Sequence, residues 1–343
     1  MKHLSRFFLS TFLLVTVSCS SSALEWPSVG SYYGAMDTNI VIELHDPANL
    51  VTADDVYQLF FAYDHWAANT MPYPGVANVY TINQTNEPVV VSTSLFHLLE
   101  FAWEMKTETN GYFNPFIGGL ADLWKKDLFN TPAPGEESTG VSSENFVPSV
   151  PSDIEIQAEL DKMNSSSLVF DESKWTVQRL GEGEIDLGGV AKGYAGQIAQ
   201  KYLAEKSVSQ YLVNAGSSTV LLGENYLSSQ GTFAVDFKGI SGKYTMVKDT
   251  CLGTSAMDQQ NVTIGGKLYS HVINPVSGSA LVDWHGVVLA GEDAGILDAL
   301  STAFMILGPA ASESLRLKYG LSAMFYKADL SSLVNEGFTL NDK

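Results

Sequence analysis

The spacing of apolar residues near the start of the chain predicts a strand and then a helix. Residues 39–44 form a short apolar run that is typical of a strand. Within residues 53–68, Val56, Phe60 and Tyr63 recur at positions i, i+4 and i+7, so they share one face of a helix. We therefore expect this helix to pack its apolar face against other elements.

A second helix is predicted over residues 92–108. Ser92 or Thr93 can cap its start, and Asn110-Gly111 is a typical helix end. The N-terminal part of the chain is therefore expected to be rich in α-helix.

The pattern in the second half of the chain is mixed. Short β-like runs occur at Leu168–Phe170, Tyr211–Val213, Thr232–Phe237, Tyr244–Val247 and Leu268–Ile273. Helices are predicted over residues 190–204, 294–307 and 310–319. Strands and helices that interleave this irregularly favour an α+β fold, which we expect to form one domain over residues 24–343.

One segment inside this domain has the composition of a loop. Residues 131–152 are rich in Pro, Ser, Gly and Glu. Because related motifs lie on both sides of it, we interpret the segment as a surface excursion rather than a linker between domains.

The N-terminus has the layout of an export signal. A basic start that includes Lys2 and Arg6 precedes the apolar residues 7–17, and small residues follow over 18–23. The apolar run is shorter than the roughly 20 residues that a membrane-spanning helix needs. Residues 1–23 are therefore predicted to be a signal peptide, with the protein exported to the periplasmic side of the bacterial inner membrane.

The two cysteines have separate implications. Cys19 is either the lipidated first residue of the mature chain or lost by ordinary cleavage near Ala23. A single acyl chain anchors a protein only marginally, so stable attachment would need more than one. Cys251 is the only other cysteine, so no internal disulfide is expected in the mature domain.

The charge of the chain excludes some partners. Its net charge is −19, and removal of two cations, Lys2 and Arg6, takes the mature chain to −21. Such a surface repels nucleic acid and anionic lipid, so neither is an expected partner. An anionic cofactor would need a local cation or backbone donors here, which points toward a metal ion.

The first chemically informative motif covers residues 185–195, with the sequence IDLGGVAKGYA. It predicts a strand end, a glycine turn and a helix N-terminus, where backbone N–H groups favour phosphate. It is neither a Walker loop nor a G-x-G-x-x-G dinucleotide motif. Taken alone, the motif fits a structural turn as well as a phosphate site.

Two further motifs end strands with small or proton-exchanging residues. In residues 212–219 a strand leads into a hydroxyl-rich turn, which suits a ligand contact or an ordinary turn. Residues 253–256 are followed by residues 269–278, which contain His271 before an Asn-Pro turn. Histidine exchanges protons near neutral pH, although a lone histidine is also a common structural hydrogen-bonding residue.

The fourth motif places an acid in an apolar helix. Asp298 is the only acid within residues 296–307, and Thr302 follows four residues later on the same face. Burial of a carboxylate is costly unless it is paired or binds a cation. Paired carboxylate and hydroxyl oxygens suit Mg²⁺, and the alternative is a capping or salt-bridged aspartate.

Together, the four blocks resemble the FAD:protein FMN transferase family, known as the ApbE family. The shared order is D-x-G-G-x-A-K-G-Y-A, N-x-G, T-S, S-H-x-x-x-P-x-x-G and a D-A-x-x-T-A helix that ends at Gly308. The run from Thr109 to Trp124 is also similar, so the resemblance covers residues 30–340. It implies an α/β domain related to tunnelling folds, with FAD bound in a cleft beside Mg²⁺.

The resemblance also implies roles for individual residues. Asp298, Thr302 and the carbonyl of Ala191 would hold Mg²⁺, and His271 and Asp298 would be catalytic. The residues implied to contact the flavin nucleotide are Lys192, Asn214, Gly216, Ser217, Thr254, Ser255 and His271.

Four departures from the family pattern are present. Asn274 and Asn114 stand where aspartate is usual, and Ser217 stands where a second glycine is usual. Residues 67–73 match poorly the family's serine- and arginine-containing stretch that helps to hold FAD. These positions are where the geometry of FAD binding is expected to differ from the family pattern.

The implied reaction is transfer of FMN from FAD to a Thr or Ser hydroxyl of another protein, with release of AMP. The expected acceptors are exported domains of membrane-associated redox enzymes. Two alternatives remain from the sequence: an FAD pyrophosphatase that yields FMN and AMP, and a non-catalytic flavin-binding lipoprotein.

Overall fold

The computed structural model describes residues 16–18, 28–46, 50–131, 146–237, 242–257, 261–327 and 333–342. The helices are α1 (Ala53–Ala67), α2 (Val79–Asn83), α3 (Thr93–Glu108), α4 (Gly118–Phe129), α5 (Asp153–Ser165), α6 (Ala191–Glu205) and α7 (Ala294–Lys318). The first strands are β1 (Thr16–Ser18), β2 (Ser28–Ala35), β3 (Thr38–His45), β4 (Val89–Val90), β5 (Ser167–Asp171), β6 (Thr176–Leu180), β7 (Gln210–Ala215) and β8 (Thr219–Leu222). The remaining strands are β9 (Phe233–Asp236), β10 (Lys243–Val247), β11 (Thr250–Ala256), β12 (Asn261–Ile264), β13 (Lys267–Ser270), β14 (Gly286–Gly291), β15 (Ser322–Tyr326), β16 (Leu333–Glu336) and β17 (Asn341–Asp342).

An eight-stranded sheet organises the molecule, with the strand order β16-β15-β14-β11-β8-β7-β3-β2. All neighbouring strands in it are antiparallel. Its two faces bury different cores. In β11, Cys251 belongs to the larger core, on the side of α6 and α7, and its neighbour Leu252 belongs to a smaller core with Phe233 and Val235 of β9. The small sheet β1-β9-β10-β17 thus forms a third layer.

Several predicted elements are confirmed, and the mixed α and β fold class with them. The helix predicted over residues 53–68 is α1, which begins at a Thr52 capping box with Asp55. The helix predicted over residues 92–108 is α3, and Ser92 caps it by accepting the N–H of Leu95. The cap of α3 was readable because a cap depends only on neighbours within one turn.

The N-terminal and loop predictions are only partly within the described residues. Strand β1 lies inside the predicted signal peptide and pairs with β9, from Thr16 opposite Asp236 to Ser18 opposite Ala234. The signal peptide and the fate of Cys19 stay predictions. Most of the predicted loop, residues 132–145, lies outside the described residues, and its end at Ser152 caps α5.

Helix α7 crosses the larger core. Gly308 interrupts it with φ 72° and ψ 175°, which divides it as the two predicted helices require. Leu297, Leu300 and Phe304 are fully buried on it. Among the residues that the structure describes, α7 is the one helix long and apolar enough to cross a membrane, and 61% of its apolar window is buried inside the protein. This burial is typical of a core helix.

Helices α6 and α7 approach each other closely at Gly193. A Cβ atom at Gly193 would overlap the carbonyl oxygen of Ala294 and the Cβ atom of Asp298. Glycine at this position therefore allows the contact that places the start of α6 beside Asp298.

Candidate functional site

One cavity of about 670 Å³ collects most of the residues singled out in the sequence. It lies where the start of α6, the middle of α7, the β7–β8 turn, β11 and the segment after β13 meet. Nine of the ten predicted site residues line it: Ala191, Lys192, Gly216, Ser217, Thr254, Ser255, His271, Asp298 and Thr302. The tenth, Asn214, is not among the lining residues. The cavity therefore joins motifs that are more than 100 residues apart in the chain.

Asp298 is held in place by the glycine motif. The carboxylate is 5% exposed, and its Oδ2 accepts the N–H of Gly193 at 2.8 Å. Burial raises the pKa of Asp298 above that of an ordinary aspartate, while the charge of Lys192 and the Gly193 N–H act in the opposite direction. An ionised Asp298 therefore favours a nearby cation.

Hydroxyl groups surround Asp298 on its own helix and on β11. The Ser255 Oγ lies 2.8 Å from the Ser301 Oγ and 3.2 Å from the Thr302 Oγ1. Ser301 in turn donates its hydroxyl to the carbonyl oxygen of Asp298 at 2.9 Å. Ser301 was not identified from the sequence, because a serine inside a helix carries no signal of its own.

Asn214 supports the β7–β8 turn. Its Oδ1 accepts the N–H of Ser217 at 2.8 Å, and Ser217 has a positive φ of 62°. Thr254 holds the same turn from β11, since its Oγ1 donates to the carbonyl of Ser217 at 2.8 Å. The hydrogen bonds to Asn214 and Thr254 stabilise the left-handed backbone that a serine otherwise disfavours. Ser217 thus adopts a left-handed backbone conformation. The glycine that the family pattern has at this position would adopt it without strain.

His271 follows β13 directly, because the strand ends at Ser270 rather than at residue 273 as predicted. The chain turns there: the Ser270 Oγ accepts the N–H of Val272 at 3.1 Å. Farther on, the Asn274 Oδ1 accepts the N–H of Val276 at 2.9 Å and that of Ser277 at 3.3 Å. Asn274 therefore caps the turn with the same oxygen that an aspartate would offer.

Trp124 of α4 anchors this turn, and its replacement tests the anchor. The Trp124 Nε1 donates to the carbonyl of Gly278 at 2.8 Å, and the side chain is 2% exposed. Trp124→Phe removes this buried hydrogen bond, so we expect the free energy of unfolding to fall by about 1–3 kcal/mol. Urea denaturation measures the loss. A change below about 0.5 kcal/mol would show that the turn holds itself without Trp124.

The cavity is also lined by two acids, Asp37 and Asp64, that the sequence did not reveal. The Asp64 Oδ1 accepts the N–H of Met36 at 2.8 Å. Burial raises the pKa of Asp64. Met36 and Asp37 form the two-residue turn between β2 and β3, with φ of 56° and 50°. Such turns usually contain Asn-Gly, so no turn signal was visible in the sequence.

Aromatic and cationic side chains also line the cavity. Tyr73 lines the cavity and stacks on His65 with ring centroids 3.9 Å apart. Lys125 lies 3.8 Å from Asp186, whose other oxygen accepts the N–H of Gly188 at 2.7 Å. Lys125 and Lys192 are the two lysines among the lining residues. The cavity therefore offers an aromatic surface, and its two lysines stand among four aspartates, Asp37, Asp64, Asp186 and Asp298.

The donor atoms around Asp298 fit a hard cation. No group of three His, Cys, Asp or Glu side chains suited to a metal ion occurs within the described residues. A metal here would be held by the Asp298 carboxylate, the Thr302 hydroxyl and the Ala191 carbonyl, all of which line the cavity. These oxygens suit Mg²⁺, which takes few protein ligands and completes its shell with water and phosphate.

Comparison with known proteins relates this chain to flavin transferases. The profile of the ApbE family matches residues 36–325. The chain is 28% identical over 251 residues to the FAD:protein FMN transferase of Klebsiella pneumoniae (strain 342), covering 72% of each chain. It is 27% identical over 257 residues to that of Treponema pallidum (strain Nichols), covering 71% of this chain and 68% of the relative.

Solved structures share the fold. The crystal structure of the ApbE protein of Thermotoga maritima superposes with a TM-score of 0.69 at 24% identity, covering 92% of this chain and 97% of that one. The flavin transferase ApbE of Vibrio cholerae gives a TM-score of 0.65 at 17% identity, with the same coverage.

Proposed function

This chain belongs to the ApbE family, and from that membership we propose that it is a Mg²⁺-dependent FAD:protein FMN transferase. It would move FMN from FAD to a Thr or Ser hydroxyl of another protein and release AMP. The observation that carries the proposal is the cavity, where a buried carboxylate, a threonine hydroxyl, a helix start and a histidine meet. The names of the curated relatives support the same activity.

The start of α6 and Lys192 suit the pyrophosphate of FAD. The N–H of Ala191 is donated to the Leu187 carbonyl at 2.9 Å and that of Gly193 to Asp298 at 2.8 Å, so the N–H of Lys192 is the one of the first three in α6 that the described residues leave for a ligand. An N–H at a helix start favours phosphate, and the Lys192 side chain adds a positive charge at the same place. Asp298 holds the Gly193 N–H, which keeps the helix start in register with α7.

Asp298, Thr302 and the Ala191 carbonyl would hold Mg²⁺, which neutralises charge on the phosphorus under attack when it is bound. His271 would take the proton from the acceptor hydroxyl. The hydroxyl oxygen forms a bond to the FMN phosphorus, the bond from that phosphorus to the bridging oxygen breaks, and AMP leaves with that oxygen. Positioning and charge neutralisation carry most of such a transfer.

The compartment is proposed from the predicted signal peptide, and the acceptors are proposed to match it. We propose that the protein acts on the periplasmic side of the bacterial inner membrane, on exported domains of membrane-associated redox enzymes. Residues 1–23 would direct export, and Cys19 would anchor the mature chain if lipidated. A covalently bound flavin cannot diffuse away from its enzyme outside the cytoplasm, which gives the reaction its use.

Product analysis tests the proposal. The purified protein is incubated with FAD, Mg²⁺ and a candidate acceptor domain, and the FAD:protein FMN transferase of Klebsiella pneumoniae serves as the positive control on the same acceptor. Intact-protein mass spectrometry should show that the acceptor gains the mass of one FMN, and EDTA should abolish the gain. A matched acceptor with its hydroxyl residue changed to alanine serves as the control.

Each other outcome identifies a different protein. Free FMN and AMP without a gain by the acceptor would make the protein an FAD pyrophosphatase. Intact FAD that nevertheless binds in a direct titration would make it a flavin-binding lipoprotein. Transfer that persists in EDTA would remove Mg²⁺ from the proposal and leave the transferase activity standing.

A further inference from the structure

A chain of three hydroxyl groups runs from the interior to the cavity. It begins at Ser301, which is fully buried and does not line the cavity. It continues through the Ser255 Oγ, 2.8 Å away, and ends at the Thr302 Oγ1, 3.2 Å farther on. Ser255 and Thr302 both line the cavity.

The direction of the donors in this chain follows from counting protons. A carbonyl oxygen only accepts, so the single hydroxyl proton of Ser301 is donated to the Asp298 carbonyl, 2.9 Å away. The Ser301 Oγ is then the acceptor for Ser255, whose one proton is used in that bond. In the remaining contact Thr302 must therefore donate to the Ser255 Oγ.

If Ser301 were instead the donor to Ser255, a lone pair of the Ser301 Oγ would face a lone pair of the Asp298 carbonyl oxygen. The two oxygens would then lie 2.9 Å apart with no proton between them. The chain is buried at Ser301, so no water replaces the missing bond there.

We infer that Ser301 is a positioning residue, which through Ser255 holds the proton of Thr302 on the Ser255 Oγ. The lone pairs of the Thr302 Oγ1 are then left for a cation held with Asp298, one helical turn away. A cation binds lone pairs and is repelled by a hydroxyl proton that points at it. The inference rests on the proposed function, since it concerns the same Mg²⁺ site.

The same helix supplies a matched control. Ser312 also lies on α7, is 1% exposed, and donates its hydroxyl to a carbonyl of the preceding turn, that of Gly308, at 2.8 Å. It does not line the cavity. Ser301→Ala and Ser312→Ala each remove one buried hydroxyl bonded to the α7 backbone. Only Ser301→Ala also removes the hydrogen bond to Ser255 and so interrupts the hydroxyl groups that lead to Thr302.

The test is the affinity of the full-length protein for Mn²⁺ alone, measured by electron paramagnetic resonance of the free ion, with Mg²⁺ as competitor. Ser301→Ala is expected to weaken binding about tenfold, as removal of groups that orient a ligand commonly does. Ser312→Ala should stay within about twofold of the wild type. Equal affinities for Ser301→Ala and the wild type would overturn the inference.

A double-mutant cycle distinguishes orientation from a loss of stability. In Ser301→Ala the proton of Ser255 is released and can be donated to Thr302, which turns the Thr302 proton toward the cation. Ser255→Ala removes that competing donor, so it should cost less affinity in the Ser301→Ala background than in the wild type. Purely additive losses would contradict the inference, even if each variant binds Mn²⁺ weakly.

Asp298→Ala separates failure of this inference from failure of the proposed site. If the wild type binds Mn²⁺ and Asp298→Ala does not, the proposed cation site is supported. The affinity of Ser301→Ala then tests only the positioning role of Ser301. If the wild type binds no Mn²⁺, both the metal site and the inference are wrong.

Discussion

Asp298→Asn is expected to abolish FMN transfer while making the metal-free protein more stable. The variant keeps an oxygen that can accept the Gly193 N–H but carries no charge for a cation. Because charge neutralisation by the metal is worth several kcal/mol in the transition state, we expect the rate to fall more than about a hundredfold. The mass-spectrometric transfer assay measures this loss.

The gain in stability has a defined pH dependence. Burial raises the pKa of Asp298 in the folded protein above its unfolded value of about 3.9. The folded state therefore binds the proton more tightly, and the wild type loses stability as the pH rises from the unfolded to the folded pKa. The loss persists at neutral pH. Asparagine does not titrate. At pH values above the folded pKa of Asp298, the Asp298→Asn variant should therefore melt about 2 °C or more above the wild type.

Thermal unfolding with and without Mg²⁺ completes the test. The wild type should melt at a higher temperature with Mg²⁺, by an amount that grows with ligand concentration, and Asp298→Asn should not respond. A variant that melts below the wild type at neutral pH without metal would show that Lys192 stabilises the ionised carboxylate more than burial destabilises it.

Gly193→Ala is expected to disrupt the fold, in contrast to Gly189→Ala in the same motif. The new Cβ at Gly193 would overlap the Ala294 carbonyl and the Asp298 Cβ, and a backbone carbonyl cannot move without separating α6 from α7. We expect a loss of about 3 kcal/mol or more in the free energy of unfolding. The hydrogen bond from Gly193 to Asp298 would be displaced as well.

Gly189→Ala should fold normally and bind FAD less well. Its Cβ would lie 3.5 Å from the Phe113 ring and 3.9 Å from the Thr302 Oγ1, which are ordinary van der Waals distances. The methyl group occupies cavity space beside Thr302, where the proposed site holds the cofactor. Urea denaturation and FAD titration of both variants separate the two effects. Equal stabilities would contradict the tight contact between α6 and α7.

Some strands were invisible in the sequence for a physical reason. Strands β8 and β14 are buried on both faces of the large sheet, so apolar residues follow one another in them rather than alternating with polar ones. A short apolar run of this kind fits a buried helix segment equally well. The exposed strand β2 and helix α5 were missed because their buried residues are few.

The roles of Asn214 and Ser301 also depended on packing. The resemblance implied that Asn214 contacts the flavin nucleotide, which stays a prediction, and the structure adds that its Oδ1 accepts the N–H of Ser217, a residue with a left-handed backbone. Ser301 carried no signal, because its partner Ser255 is 46 residues away on β11. Likewise, Asp37 comes to the cavity because β3 pairs with β7, which brings the β2–β3 turn to the same end of the sheet as the β7–β8 turn.

The sequence by itself determined the local relations: the helix caps, the glycine turn before α6, and the shared helix face of Asp298 and Thr302. These depend on residues within one turn of each other, which backbone geometry places without reference to the rest of the chain. Only the tertiary structure decided that α6 packs on α7 at Gly193, that Ser255 bridges Ser301 and Thr302, and that Asp37 and Asp64 line the same cavity as Asp298. Contacts of this kind depend on sheet order and close packing, which join segments far apart in the chain.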